Sequence, residues 1–189
     1  SPCAHFRVGP PNLEGREMTL DLYAWNTSNG RKISIMLEEL GVDYNFHLIN
    51  IGKDEQFAPD FLKISPNNRI PAIVDHDPPG GGGPVSVFET GAILLYLVNK
   101  TGMFYPEDLR TRTQINEWLM WQIGGLGPMI GQSGHFKLYH EEKIPYAIDR
   151  YYSEMLRLYG VLDRQLEGRE YICGDYSIAD MACWPWVIT

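Results

Sequence analysis

Residues 19–49 read TLDLYAWNTSNGRKISIMLEELGVDYNFHLI. Thr19–Ala24 alternates apolar and polar side chains, the period of a strand. Asn29-Gly30 marks a turn, after which Ile33, Met36, Leu37 and Leu40 recur at helical spacing. Gly41 stands where a helix C-cap belongs, and Tyr44–Ile49 returns to a strand. A strand, a helix and a strand in this succession form a β-α-β unit, which implies a parallel strand pair.

Downstream the order changes. Ala72–Asp75 is a short apolar strand. HDPPGGGGP (His76–Pro84) reads as a hairpin loop, and Val85–Phe88 as the returning strand. A helix over Gly91–Asn99 then turns Ile93, Leu94 and Leu97 inward. β-α-β followed by β-β-α is the thioredoxin-like arrangement, assigned to residues 18–100. Residues 101–110 read as a linker. Beyond it strand signals vanish, so 111–189 is predicted to be a helical domain, giving an α/β plus all-α chain. Arg110–Gln122 is helical, with Ile115, Trp118 and Leu119 on one face. GGLGPM (Gly124–Met129) should interrupt or end that helix. Ile148, Tyr151, Met155, Leu158, Leu162 and Leu166 form the core stripe of a helix over Ile144–Leu166.

Ser177-Ile178-Ala179-Asp180 has capping-box spacing, with Tyr176 and Met181 placed for a hydrophobic staple. A buried helix starting so close to Thr189 implies that further helices follow, which would leave Trp184 and Trp186 on uncovered apolar faces. Residues 1–17, SPCAHFRVGPPNLEGRE, lack periodicity and read as a flexible tail.

The 189 residues are 44% hydrophobic and 21% charged, which excludes a disordered or coiled-coil chain. No apolar run reaches the ~18 residues of a membrane span. A net charge of −8 argues against nucleic acid or an anionic membrane as partner. Cys3, Cys173 and Cys183 have neither disulfide-framework nor zinc spacing, so no metal is expected. This usage fits a reducing cytoplasm.

Three strand–helix junctions could carry chemistry. Thr27-Ser28-Asn29-Gly30 opens a helix, where unpaired amides and the helix dipole favour an anion. No cysteine is present there, so a thiolate would have to come from a ligand, with the Thr27 hydroxyl and the Asn29 amide as donors. An ordinary helix cap would look the same. Ile70-Pro71-Ala72 enters a strand and is a candidate cis peptide, where Ile70 could pair in strand fashion with an extended ligand; a trans proline is the ordinary alternative. Glu89-Thr90 combines an acid and a hydroxyl at a helix start, complementary to the two charges of an α-amino acid head group, although a plain threonine cap fits too.

Together, and in this order, these junctions resemble those of the glutathione transferase superfamily. TSNGRKISIMLEELG, ISPNNRIPAIVDH, FETGAILLYL, WQIGGLGPMIGQ and IPYAIDRY look like its nu class, a bacterial disulfide-reductase-like group related to fungal Ure2-type proteins. The resemblance implies glutathione as co-substrate. Thr27 and Asn29 would meet its sulfur, with Ser28 standing where the group usually has proline. Ile70 and Pro71 would hold the cysteinyl unit, Glu89 and Thr90 the γ-glutamyl end, and Gln56 the glycyl end. Arg150 would approach a second glutathione, unless it forms a surface ion pair with Asp149 or Glu154. Gly124–Gln132 would line the cleft between domains. The resemblance further implies a homodimer and thiol–disulfide exchange without a protein cysteine. Two alternatives stand beside that reaction. One is conjugation of electrophiles in a pocket walled by Trp118, Trp121, Met129 and Phe136. The other is a non-catalytic glutathione-binding or regulatory module.

Overall fold

The computed structural model describes residues 20–188, so the expected tail over residues 1–17 lies outside the described residues. β1 (Leu20–Ala24), α1 (Ser28–Leu40) and β2 (Tyr44–Leu48) form the β-α-β unit. Thr27 caps α1 by accepting from the Gly30 amide at 3.1 Å. Gly41, at φ 64°, closes the helix in the left-handed conformation glycine adopts without penalty. Asn29-Gly30, expected as a turn, instead lies within the first turn of α1.

Two 3-10 turns (Ile51–Lys53 and Glu55–Phe57) and the short helix α2 (Pro59–Ile64) lead to β3 (Ala72–Asp75) and β4 (Val85–Phe88). None of these three helical pieces is long enough to show a period in the sequence. The sheet order is β2-β1-β3-β4, with β1 parallel to β2 and the other pairs antiparallel. Leu22 pairs with Phe46 on one side and Ile73 on the other. α3 (Thr90–Thr101) buries Ile93, Leu94 and Leu97.

The helical domain begins with α4 (Leu109–Trp121), capped by Asp108. GGLGPM interrupts this helix without ending it. Gln122–Leu126 widens into a π turn and α5 (Gly127–Gly134) continues from it. Pro128 falls in the first turn of α5, directly after the π turn, where the regular α-helical hydrogen-bond ladder is already broken. A second π turn (His135–Tyr139), α6 (Pro145–Leu166) and α7 (Ile178–Val187) follow. Among the described residues no helix is long and apolar enough to cross a membrane.

The capping box is present: the Ser177 amide donates to Asp180 Oδ2 at 3.0 Å, and Ser177 Oγ caps the helix. One contiguous core joins the domains, running from Leu20, Leu22 and Ile33 to Ile115, Leu158, Ile178 and Met181. α7 packs against α1, so the helical domain braces the element that carries the first candidate junction.

Candidate functional site

The start of α1 is built around close backbone approach. A Cβ on Gly30 would stand 2.3 Å from the Trp25 carbonyl oxygen, so only glycine fits beneath the cap. Thr27 Oγ1 accepts from Gly30, which leaves the hydroxyl proton to donate elsewhere. Amides of the first turn have no acceptor within a helix, and the dipole adds positive potential there.

Beside this turn opens a cleft of about 1160 Å³ between the two domains. Thr27, Ser28, Asn29, Gln56 and Ile70 line it from the thioredoxin-like side. Ile130, Tyr139, Tyr152, Tyr159 and Trp186 line it from the helical side. Among the described residues, Arg31, Arg69 and Lys137 bring positive charge to its walls, against one acid, Asp54. The Ile70-Pro71 peptide is cis. Gln56 Oε1 is buried with no hydrogen-bond partner among the described residues, so a ligand N–H in the cleft would satisfy it.

Trp186 was expected on an uncovered face. It is partly buried instead, and its indole Nε1 donates to Asn29 Oδ1 at 3.1 Å. An indole N–H can only donate. The carbonyl oxygen of Asn29 must therefore face Trp186, and the amide NH2 turns the other way as a donor. Trp184, by contrast, is 58% exposed.

The other expected residues lie elsewhere. Pro71, Glu89 and Thr90 do not line the cleft. Glu89 sits at φ 72° immediately before α3, a conformation that costs a non-glycine residue about 1–3 kcal/mol. Thr90 is 7% exposed, and its Oγ1 accepts from Lys32 Nζ at 3.3 Å. Lys32 itself is 2% exposed, and its ammonium also donates to Gln122 Oε1 at 2.6 Å. Burial pushes the Lys32 pKa down to about 8, against the opposing charge of Glu89. Gly127 makes room for both interdomain contacts. A Cβ there would lie 2.8 Å from Gln122 Nε2 and 3.3 Å from the Trp186 ring.

Arg150 lies in a separate depression of about 710 Å³ with Tyr146, Asp149, Arg157 and Met129. Of its two expected alternative partners, Glu154 spends both carboxylate oxygens on Arg157 at 2.7 Å, and Asp149 lines the same depression. Of Gly124–Gln132, only Ile130 and Gly131 reach the main cleft. The aromatic pocket expected for electrophiles does not form there either. Trp118 and Trp121 pack edge-to-face on each other at 4.9 Å, Phe136 stacks on Tyr151 at 5.4 Å, and Met129 belongs to the second depression.

Neither described cysteine touches the cleft. Burial pushes the Cys173 thiol up to about 11 and the Cys183 thiol up to about 12, with Asp180 adding to both. Both are therefore protonated and poor nucleophiles at neutral pH. Among the described residues no group of three or more His, Cys, Asp or Glu side chains is arranged to hold a metal ion.

A thioredoxin-like sheet, a helical domain braced on α1 and an interdomain cleft at the N-terminus of that helix place the chain in the glutathione S-transferase family. The family model for the glutathione S-transferase N-terminal domain matches residues 18–99. The disulfide-bond oxidoreductase YfcG of Escherichia coli K12 is 55% identical over 169 residues, covering 89% of this chain and 79% of YfcG. The disulfide-bond oxidoreductase YghU of the same organism is 47% identical over 175 residues, covering 88% of this chain and 59% of YghU. Among solved structures, a glutathione transferase from Pseudomonas putida with one glutathione disulfide bound per subunit superposes with a TM-score of 0.87 at 47% identity. That match covers 92% of this chain and 76% of the other.

Proposed function

We propose that this chain catalyses glutathione-dependent reduction of small disulfides, with the thiolate of bound glutathione as nucleophile. The observation that carries the proposal is the Asn29 amide, whose oxygen is held by Trp186 so that its NH2 is left as a donor, on a residue that lines the same cleft as Thr27. A free thiol ionises near ~8.5, and each charge-assisted hydrogen bond lowers that value. The thiolate attacks one sulfur of the substrate disulfide. A mixed disulfide with glutathione forms, and the other half of the substrate leaves as a thiolate that takes up a proton. A second glutathione thiolate then attacks the glutathione sulfur of the mixed disulfide, releasing the second product thiol and glutathione disulfide. The sum is one disulfide and two glutathiones converted to two thiols and one glutathione disulfide.

In this reading Thr27, Ser28 and Asn29 hold the sulfur, the Ile70 backbone beside Pro71 pairs with the cysteinyl unit, and Gln56 meets the glycyl end. Glu89 and Thr90 take the γ-glutamyl head group, and Arg150 serves a second glutathione. The names of YfcG and YghU support the activity, and the glutathione disulfide in the Pseudomonas putida structure supports the ligand. The finer assignment is to a nu-class homodimer working in the cytoplasm. The exposed apolar Phe46 and Leu48, two positions apart on the edge strand β2, support the dimer, and the unpaired Cys173 and Cys183 support a reducing compartment.

The test is Asn29→Ala in a glutathione-dependent disulfide reduction coupled to glutathione reductase. Loss of a hydrogen bond to a charged sulfur, worth roughly 1.5–3 kcal/mol, predicts a fall in kcat/KM of about tenfold or more. Unchanged turnover would remove Asn29 from the site.

A further inference from the structure

Lys32 is a buried cation whose two hydrogen-bond partners, Thr90 Oγ1 at 3.3 Å and Gln122 Oε1 at 2.6 Å, are both neutral. A buried ammonium without an anion is costly, and an apolar side chain of similar length would fill the same space more cheaply. Its surroundings are arranged around it nonetheless. Gln122 turns its oxygen to Lys32 although this leaves its own Nε2 buried without a partner among the described residues. The titratable groups acting on Lys32 are Glu89, at the β4–α3 junction, and Cys183 of α7. The Cys183 thiol is protonated at neutral pH, so it supplies no charge. Glu89 acts across a longer distance than a hydrogen bond.

We infer that Lys32 is a positioning residue for the α-carboxylate of the γ-glutamyl unit, fixing the Thr90 hydroxyl as a donor and setting a positive charge behind it. This rests on the assignment of the Glu89–Thr90 junction to the γ-glutamyl end. An ammonium can only donate, so Thr90 Oγ1 must accept from Lys32, and its single proton points away from α1. Thr90 is also the first residue of α3, whose dipole adds to the same field. The carboxylate would complete an ion pair that the protein leaves half-made, while Glu89 is left to meet the α-ammonium. Because Gln122 belongs to the helical domain, that domain would then help to set recognition of the head group.

The experiment compares two S-methylated ligands by calorimetry, so that no thiol titrates. One is S-methylglutathione. The other is its analogue with 4-aminobutanoyl in place of γ-glutamyl, which keeps the amine and lacks the α-carboxylate. Lys32→Met is expected to weaken the first by roughly tenfold or more and the second by less than about twofold. The second ligand also reports that the variant is folded. Equal weakening of both, or no weakening of either, overturns the inference. Should Lys32→Met fail to fold, the wild-type protein supplies the readout. Near pH 8 it should take up more protons on binding S-methylglutathione than the ligand's own partly deprotonated α-amine can account for, and none on binding the analogue, as seen from heats in buffers of different ionisation enthalpy. Absence of that difference overturns the inference as well. Thr90→Val separates the two levels of the argument. If it abolishes the preference for the carboxylate while Lys32→Met does not, only the role of Lys32 falls. If it leaves the preference intact, the junction is not the γ-glutamyl site.

Discussion

Replacing Trp186 by phenylalanine would test how the cleft orders its central donor. The change keeps an aromatic ring against Gly127 and removes the N–H that donates to Asn29 Oδ1 at 3.1 Å. A neutral hydrogen bond of this kind contributes roughly 0.5–1.5 kcal/mol. That is the free energy with which Trp186 favours the amide orientation that presents NH2 over the one that presents oxygen. A thiolate loses the donor, and meets a repelling carbonyl, to the extent that the amide turns. At 1.36 kcal/mol per pKa unit, the bound glutathione thiol should titrate about half a unit to one unit higher in Trp186→Phe. Complete loss of the donor in Asn29→Ala should raise it by about one to two units. The assay is ultraviolet absorbance of the bound thiolate as a function of pH, with a thermal melt to confirm folding. A Trp186→Phe protein whose bound thiol titrates with the wild type would refute the orientation argument, even if Asn29→Ala behaves as expected.

Other outcomes follow from the same structure. The Asp75 carboxylate is fully buried and accepts from Lys100 at 2.5 Å, Tyr96 at 2.6 Å and the Asp77 amide at 3.0 Å. Burial raises its pKa, but these three partners outweigh that and hold it below the usual carboxylate value. Its contribution is therefore complete above the unfolded value near ~3.9 and is lost as pH falls through the folded one. Asp75→Asn should cost about 3 kcal/mol at neutral pH by leaving Lys100 unpaired, and should flatten the acid limb of denaturant midpoint against pH. An unchanged acid limb would show that the pair carries no such dependence. Asp180→Ala removes acceptors for the Ser177 amide at 3.0 Å and the Ile172 amide at 2.9 Å. The expected loss is about 1–3 kcal/mol in urea melts, with turnover per folded molecule preserved. Cys173 and Cys183 should resist iodoacetamide at pH 8 in the native protein and react once urea unfolds it. Rapid native alkylation of either would contradict their high pKa values.

Much of the fold was legible in the sequence because its signals are local. Alternation in β1, the apolar period of α1 ending at Gly41, the glycine-rich hairpin and the Ser177–Asp180 box each fall within a few residues. The junction at Thr27–Asn29 was visible for the same reason. Asn29-Gly30 was misplaced as a turn because that dipeptide commonly makes one, whereas here the Thr27 cap draws it into the helix. GGLGPM kept its helix because π geometry absorbs what glycine and proline would otherwise break.

The contacts that order the site were not legible. Nothing local to Lys32 marks it as buried, because the partner that meets it, Gln122, lies 90 positions away. Trp186 meets Asn29 across 157 positions. A periodicity window cannot see pairs so far apart. The electrophile pocket failed for a related reason: Trp118, Trp121 and Phe136 fulfil their apolar character by packing on neighbours, which sequence alone does not distinguish from lining a cleft.

The claim at the centre of this account is that the nucleophile is a bound glutathione and not a cysteine of the protein. The most direct measurement is steady-state disulfide reduction by a chain in which Cys3, Cys173 and Cys183 are all replaced, alongside glutathione binding by calorimetry. The account predicts turnover per folded molecule close to that of the unaltered chain. A cysteine-free protein that binds glutathione normally but no longer reduces the disulfide would contradict it.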